Sequence, residues 1–191
     1  MQALSPVQVR KFTTLFEHYD RNHNQFLSLN DFLGFADIAS EVFGWREQDP
    51  DLFETRLAAL RQSCQDMFMR LIRAADTNHD GQVSLPEYLS YLQRQALECK
   101  NMGTAAPWVR LASHQIKLLL DHDASGTINL NEYQQMLLVL GSDADAASAF
   151  AKMDSDGDGR LTMADIEKLA LEFITSDDPD APGNLLYCGK F

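Results

Sequence analysis

Oxygen-bearing side chains recur at fixed offsets in four twelve-residue segments, and the pattern suits a ring of ligands around one ion. In residues 76–87, DTNHDGQVSLPE, such side chains stand at the first, third, fifth, ninth and twelfth positions. A coiled loop brings these positions together, and an all-oxygen ring suits a hard cation such as Ca²⁺ better than a His/Cys set would. Gly81, at the sixth position, has no Cβ and can take the left-handed conformation that brings the chain round. The spacing predicts a calcium-binding loop.

The pattern occurs four times, and repetition makes it more specific than any single match. In chain order we name the segments loop one (residues 20–31), loop two (76–87), loop three (121–132) and loop four (154–165). Ligands are expected at positions 1, 3, 5, 7 and 12, with the seventh residue giving its backbone carbonyl. The candidates are Asp76, Asn78, Asp80, Gln82 and Glu87 in loop two; Asp121, Asp123, Ser125, Thr127 and Glu132 in loop three; Asp154, Asp156, Asp158, Arg160 and Asp165 in loop four; and Asp20, Asn22, Asn24, Phe26 and Asp31 in loop one.

The four loops differ in how well they match. Loops two and three fit at every position, and we expect both to bind Ca²⁺. Loop four ends on Asp165, one methylene shorter than glutamate, so weaker Ca²⁺ binding or a larger share of Mg²⁺ is expected. Loop one ends on Asp31, where Mg²⁺ can also compete, and Gln25 replaces the glycine, where a positive φ costs ~1 kcal/mol. Two alternatives stay open for loop one, a weak fourth site or a scaffold that pairs with loop two without an ion.

Other side chains that could do chemistry have simpler explanations. The histidines in the loops occupy positions 2 and 4, which point away from the ion, and are expected to be solvated. Met67, Met69, Met136 and Met153 could line an adaptable groove, but their spacing is more typical of core residues. The sequence has no G-x-S-x-G, P-loop, H-E-x-x-H or cysteine-based metal pattern, and we expect no enzymatic activity.

Composition narrows the classes of partner. The formal net charge is −12, which argues against nucleic acid and anionic lipid. Four bound Ca²⁺ ions would bring this charge to about −4 and reduce self-repulsion.

Cys64, Cys99 and Cys188 are odd in number and widely spaced, so a reducing compartment is expected rather than a disulfide framework. No signal-peptide core, Met-Gly start or apolar run of ~18 residues is present, so we expect a cytoplasmic protein without a membrane anchor.

Helical periodicity flanks the loops and would position them. Apolar residues recur at i, i+3, i+4 and i+7 on the flanking segments. Residues 45–50 are expected to be a connector, and roughly 25 residues of helix would then lead from Pro50 to loop two. Apolar residues at the eighth loop position would let paired loops meet in short antiparallel β-bridges, namely Leu27, Val83, Ile128 and Leu161.

Helix-end signals and a small-residue segment divide the chain. Ser84 and Glu87 predict a capping box, Gly141 a helix end, and Ser142 or Asp143 the cap of the next helix. The small residues after position 100 predict one pair of loops in residues 1–102 and another in 103–175.

The tail, residues 176–191, cannot be one helix through its two prolines. It is expected to pack on the core, or alternatively to plug a groove that a target helix would use.

Taken together, the chain resembles the EF-hand proteins of the calerythrin and sarcoplasmic calcium-binding type. The resemblance rests on four such loops in about 190 residues, the long interval between loops one and two, and the closing S-D-D-P-D-A-P-G-N. It implies an all-α fold with four EF-hands in two pairs, packed into one compact domain with short β-bridges between paired loops. The usual role in that family is cytosolic Ca²⁺ buffering or transport, and we expect a monomer.

Two alternatives to a buffer remain open. A Ca²⁺ sensor would expose an apolar groove and bind a target helix. The chain is also similar to photoproteins and coelenterazine-binding proteins, which implies a possible small-molecule binder. Where aequorin-like photoproteins place a histidine and a tryptophan on the last helix, this chain has Ala170 and Ile174, which weighs against that role.

Overall fold

The computed structural model describes residues 3–48, 50–103, 109–110, 113, 120–121, 123, 125–187 and 189–190. Eight α-helices lie within these residues, together with two short strand pairs and one turn of 3₁₀ helix at Pro182–Leu185. The helices are α1 (Pro6–Tyr19), α2 (Leu29–Val42), α3 (Trp45–Gln48), α4 (Pro50–Ala75), α5 (Leu85–Met102), α6 (Leu130–Leu140), α7 (Ala146–Met153) and α8 (Met163–Thr175). The helix predicted to lead into loop three lies largely outside the described residues.

Each loop joins its following helix through a capping box. The side chain at loop position 9 accepts the backbone N–H of position 12, and the carboxylate at position 12 accepts the backbone N–H of position 9, so two otherwise unsatisfied N–H groups are satisfied reciprocally. The pairs are Ser28 with Asp31, Ser84 with Glu87, Asn129 with Glu132, and Thr162 with Asp165. The box predicted at Ser84 and Glu87 is confirmed. Position 12 therefore serves the helix as well as the loop.

One expectation about a helix boundary is wrong. Ser142 and Asp143 do not cap α7; Asp145 does, because its side chain accepts from the backbone N–H groups of Ala147 and Ser148. The predicted connector contains the four-residue helix α3. The long helix is confirmed: α4 runs for 26 residues from Pro50 to the edge of loop two. Gly141 has φ 69° and ends α6 as predicted.

The loops pair through two antiparallel β-bridges, as the apolar eighth positions predict. Leu27 pairs with Val83, and Ile128 pairs with Leu161. All four side chains are buried. Loop one is therefore held beside loop two, and loop three beside loop four.

One hydrophobic cluster includes residues from both halves of the chain. Helix α2 packs against α4 and also against α6, and α5 packs against α8. The rings of Phe12 and Phe173 lie 5.6 Å apart and join the first helix to the last. Separate opening of either half would expose apolar surface from the other.

The first helix also binds the tail through a buried polar cluster, which we call the α1–tail latch and define as Gln8, Lys11 and Asn184. Lys11 is fully buried, and its Nζ donates to the Ser176 carbonyl at 2.9 Å and to Asn184 Oδ1 at 2.8 Å. The Gln8 amide donates to the Ile174 carbonyl at 3.1 Å. Since these carbonyls lie at the end of α8, two side chains of α1 satisfy the C-terminus of the last helix.

A second contact of this kind lies at the end of α6. His18 Nδ1 is 2.8 Å from the Leu140 carbonyl, and Arg21 donates to the Val139 carbonyl. Both side chains come from the end of α1 and the start of loop one. The first helix and the start of loop one therefore hold the C-termini of two helices in the second half of the chain.

The tail packs on α7 and α8 as far as it is described. The Gly183 N–H donates to Glu172 Oε2 at 2.6 Å, and a Cβ at Gly183 would overlap the backbone of α8. Tyr187 meets Phe173 edge to face at 4.8 Å. Asn184 donates to two carbonyls within the tail, so the latch fixes the tail's own conformation too. None of the helices that the structure describes is apolar over a length that would cross a bilayer.

Candidate metal centres

All four loops share the same backbone coil around the first carboxylate. In each, Oδ2 of the aspartate at position 1 accepts the N–H of the residue at position 6. The distances are 2.8 Å from Gln25, 3.1 Å from Gly81, 2.9 Å from Gly126 and 2.8 Å from Gly159. This hydrogen bond closes the first half of the loop and turns the following oxygens toward one point.

The next two ligand positions are also oriented by hydrogen bonds two residues ahead. The side-chain oxygen at position 3 accepts the N–H of position 5, and that at position 5 accepts the N–H of position 7. In loop two these bonds run from Asp80 to Asn78 and from Gln82 to Asp80, each at 2.9 Å. The other three loops repeat both bonds. Side chains that are fixed in this way need little reordering to receive an ion.

Position 6 is left-handed in every loop, whether or not it is glycine. Gly81, Gly126 and Gly159 have φ between 79° and 85°, and Gln25 has φ 70°. The positive φ predicted at Gln25 is confirmed, and the side chain carries the associated strain of ~1 kcal/mol. Loop one therefore keeps the coil of the other loops in spite of its substitution.

Carboxylates converge in loops three and four. Oxygens of Asp121, Asp123 and Glu132 lie within 4.8 Å of one another, as do oxygens of the three aspartates at positions 1, 3 and 5 of loop four. Among the described residues, no other group of three or more acidic, histidine or cysteine side chains gathers so closely. Three oxygen ligands at this spacing match the donor set of a hard divalent cation.

Asp165 does not join the cluster of loop four. Its Oδ2 accepts from the Thr162 N–H at 2.9 Å and from the Thr162 hydroxyl at 2.6 Å. The corresponding capping bond in loop three runs from the Asn129 N–H to Glu132 Oε2 at 2.9 Å. The longer glutamate side chain also places a carboxylate oxygen in the cluster with Asp121 and Asp123. Because aspartate is one methylene shorter than glutamate, position 12 joins the carboxylate cluster in loop three but not in loop four.

In loop two, both carboxylate oxygens of the glutamate at position 12 accept hydrogen bonds. Glu87 Oε2 accepts from Ser84, and Oε1 accepts from the Thr77 N–H at 3.0 Å and the Thr77 hydroxyl at 2.9 Å. Hydrogen bonds from Ser84, and then from Thr77, lower the pKa of Glu87 to about 2. The carboxylate is thus ionised at neutral pH, but it must leave Thr77 before both oxygens can face an ion.

Loop one is buried and closed by its own hydrogen bonds. Asp20 and Asp31 are 4% and 2% exposed, while Asp76 and Asp80 of loop two are not buried. The Asn22 amide donates to Asp31 Oδ1 at 3.3 Å. At position 3, loop one therefore has the amide of Asn22, whereas loops three and four have the carboxylates of Asp123 and Asp156.

Hydrogen bonds and nearby charges favour the ionised form of one ligand side chain in loop three and one in loop four. Hydrogen bonds from Ser125 lower the pKa of Asp123, and the positive charge of Arg160 adds to this effect. The N–H of Gly159 lowers the pKa of Asp154. Charged rings of oxygen ligands fit Ca²⁺ and do not fit a soft metal.

The sequence ranking and the observed convergence of carboxylates differ in one respect. Loop two, which matches the pattern fully, has no group of three carboxylates within 4.8 Å of one another, whereas loop four has one. Two residues of loop two account for this difference: position 3 is Asn78 where loop four has the carboxylate of Asp156, and Thr77 holds Glu87 by hydrogen bonds. The ligand assignments themselves stay predictions, and His122 and Ala124 of loop three lie outside the described residues.

Family models of EF-hands match the regions of loops one, two and four. A family model described as an EF-hand domain pair matches residues 10–93, and one described as an EF hand matches residues 146–170. Mitrocomin from Mitrocoma cellularia is 27% identical over 194 residues, which cover 97% of this chain and 90% of the relative. Calerythrin from Saccharopolyspora erythraea is 26% identical over 162 residues, or 83% of this chain and 86% of the relative.

Among solved structures, a sarcoplasmic calcium-binding protein from amphioxus has the same fold. It superposes with a TM-score of 0.74 at 22% identity, covering 99% of this chain and all of that chain. The predicted all-α architecture, with two pairs of loops and short β-bridges, is confirmed.

Proposed function

The chain belongs to the EF-hand calcium-binding proteins of the calerythrin and sarcoplasmic type, and we propose that it is a Ca²⁺ buffer or transport protein. The observation that carries this proposal is the closure of the two halves by α1 and the start of loop one. Gln8 and Lys11 hold the end of α8, and His18 and Arg21 hold the end of α6. A sensor has to separate its helices when it binds the ion, whereas a buffer opens little.

Three loops are proposed as Ca²⁺ sites. Their ligands are the side-chain oxygens at positions 1, 3, 5 and 12 of loops two, three and four, with the backbone carbonyls of Gln82, Thr127 and Arg160. Loop three combines converging carboxylates with a glutamate at position 12 and is expected to be tight. Loop four has the same cluster, but the shorter Asp165 favours a share of Mg²⁺.

Loop one is proposed to bind weakly or not at all. Its two carboxylates are buried and hydrogen-bonded within the loop, so an ion would have to displace the Asn22 amide from Asp31. Mg²⁺ can compete there for the same reason as in loop four. The loop's second role, pairing with loop two through Leu27 and Val83, needs no ion.

The proposed organisation assigns one pair of loops to residues 1–102, the other to 103–175, and the tail to 176–191. We further propose a monomer in the cytoplasm, without catalytic activity. Cys64 is a free, buried thiol, which is consistent with a reducing compartment, and burial raises its pKa to about 12. The net charge of −12 disfavours polyanionic partners.

Binding of a fluorescent dye to apolar surface tests the buffer against the sensor. The wild-type protein should show little change in dye fluorescence when Ca²⁺ is added. Lys11→Met, which breaks the latch, should show a larger Ca²⁺-dependent rise, whereas Lys168→Met removes an exposed lysine and serves as the control. A large rise with the wild-type protein would instead favour a sensor that binds a target helix.

A small-molecule binder is a second candidate because an apolar cavity lies where the two halves meet. Leu15, Phe32, Met67, Met136 and Tyr187 contribute to its lining, and the relative mitrocomin is a Ca²⁺-regulated photoprotein. The residues that face inward from α8, Ala170 and Ile174, are buried and apolar. Titration with coelenterazine, followed by tryptophan quenching and by light emission, tests this candidate. Saturable quenching without light would indicate binding alone.

A further inference from the structure

A basic side chain of loop four reaches across the β-bridge into loop three. Arg160 stands at position 7 of loop four, and its guanidinium donates to the hydroxyl of Thr127, at position 7 of loop three, at 3.1 Å. The register of the bridge sets Asn129 opposite Arg160, so the side chain is delivered to the neighbouring loop by the backbone pairing. The seventh residues of loops one and two are the neutral Phe26 and Gln82.

Thr127 connects this charge to the ligand ring of loop three. The hydroxyls of Thr127 and Ser125 are 3.0 Å apart, and the Ser125 hydroxyl also lies 3.5 Å from Asp121 Oδ1. Loop three itself contains no lysine or arginine. The guanidinium is therefore the cation that loop three receives from its partner loop, at the rim of a ring with three converging carboxylates.

We propose that Arg160 is an affinity-determining residue for loop three, acting as a tethered counter-cation. In the ion-free protein, its charge offsets the repulsion among Asp121, Asp123 and Glu132. When the ring receives a divalent ion, the same charge opposes that ion. An arginine remains charged at all accessible pH values, so the effect is permanent and depends on ionic strength, not on pH.

The inference rests on the proposed function, because it concerns the Ca²⁺ affinity of loop three. It adds that the affinity is set partly from outside the loop, by a side chain of the paired loop. Arg160→Gln preserves the backbone carbonyl at position 7 and removes only the charge. Coulomb's law for a singly charged group at the rim of a ring that holds a doubly charged ion gives an affinity change on the order of fourfold at low salt.

The test is a Ca²⁺ titration by calorimetry with chelator competition, at low and at high KCl. Arg160→Gln should tighten the loop-three site severalfold at low salt, and the gain should shrink at high salt. The ion-free variant should also melt at a lower temperature, since the ring loses its counter-cation. Arg160→Lys should keep most of the wild-type behaviour, and Arg56→Gln, an exposed charge on α4, should change neither quantity.

Combining Arg160→Gln with a second substitution that disables one loop identifies which site is affected. In Asp154→Asn, which disables loop four, Arg160→Gln should still tighten binding; in Glu132→Gln, which disables loop three, it should not. A gain confined to the second background, or a gain that does not respond to salt, would overturn the proposal. If the wild-type protein itself takes up no Ca²⁺, the proposed function fails; if it titrates normally and Arg160→Gln matches it, only this inference fails.

Discussion

Removing the buried amine of Lys11 should change how stability depends on pH. Burial lowers the pKa of Lys11 from 10.5 to about 8, against the opposing influence of Asp177 and Glu172. Lys100 lowers this pKa further. Because the side chain is fully buried in the folded protein, the charged form is disfavoured relative to the unfolded chain.

The direction in which the free energy of unfolding changes with pH follows from proton binding by Lys11 in the folded and unfolded states. Between about pH 8 and pH 10.5 the unfolded chain binds the proton and the folded protein has released it, so the free energy of unfolding rises with pH in this window. Below the window both states are charged and the burial cost is fully present. Integrating the two pKa values gives a gain of about 2.5 kcal/mol between pH 7 and pH 10, at 1.36 kcal/mol per tenfold step in proton concentration.

The assay is guanidinium unfolding of the ion-free protein, followed by circular dichroism at several pH values. The wild-type protein should gain about 2.5 kcal/mol relative to Lys11→Met between pH 7 and pH 10, and titrations common to both proteins cancel in the difference. Lys168→Met, which also removes one lysine, should show no comparable gain. A flat difference, or one that falls as pH rises, would show that Lys11 is not desolvated in the fold and would refute the latch as described.

Three further substitutions test the tail and loop two. Gly183→Ala should destabilise the protein by about 2–4 kcal/mol in denaturant titrations, because the new Cβ overlaps the backbone of α8; Gly34→Ala, with open space around it on α2, should be neutral or stabilising by up to about 1 kcal/mol. Tyr133→Phe should cost about 1 kcal/mol, since it removes the hydroxyl that donates to the Leu185 carbonyl at 2.5 Å; an unchanged midpoint would mean that this bond adds nothing. Glu87→Gln should remove one Ca²⁺ site from the stoichiometry measured by calorimetry, and full retention of that site's affinity would contradict the role of position 12.

The loops and their pairing could be predicted from the sequence because they are local. The ligand spacing, the glycine at position 6 and the capping box involve residues within twelve positions of one another. The β-bridges then follow from the apolar eighth position, and the length of α4 follows from the distance between Pro50 and loop two. Local rules of this kind do not depend on knowing how the two halves pack.

The latch could not be predicted, because its partners are far apart in the chain. Lys11 and Asn184 are separated by 173 positions, and a lysine on an amphipathic helix is ordinarily a solvated residue. Its position among Phe12, Phe173 and the tail carbonyls depends on the complete fold. The engagement of Glu87 by Thr77 was missed for a different reason, since the consensus treats position 2 as variable although its hydroxyl competes for the last ligand.

The central claim, that these loops hold Ca²⁺ on rings of oxygen ligands, is tested most directly by calorimetric titration of the wild-type protein with Ca²⁺ in the presence of Mg²⁺, beside Glu132→Gln. The wild-type protein should take up three ions, with loop four the most sensitive to Mg²⁺, and Glu132→Gln should lack one tight site. If the wild-type protein takes up no Ca²⁺ at micromolar free concentration, or if Glu132→Gln keeps every site at full affinity, the account is contradicted.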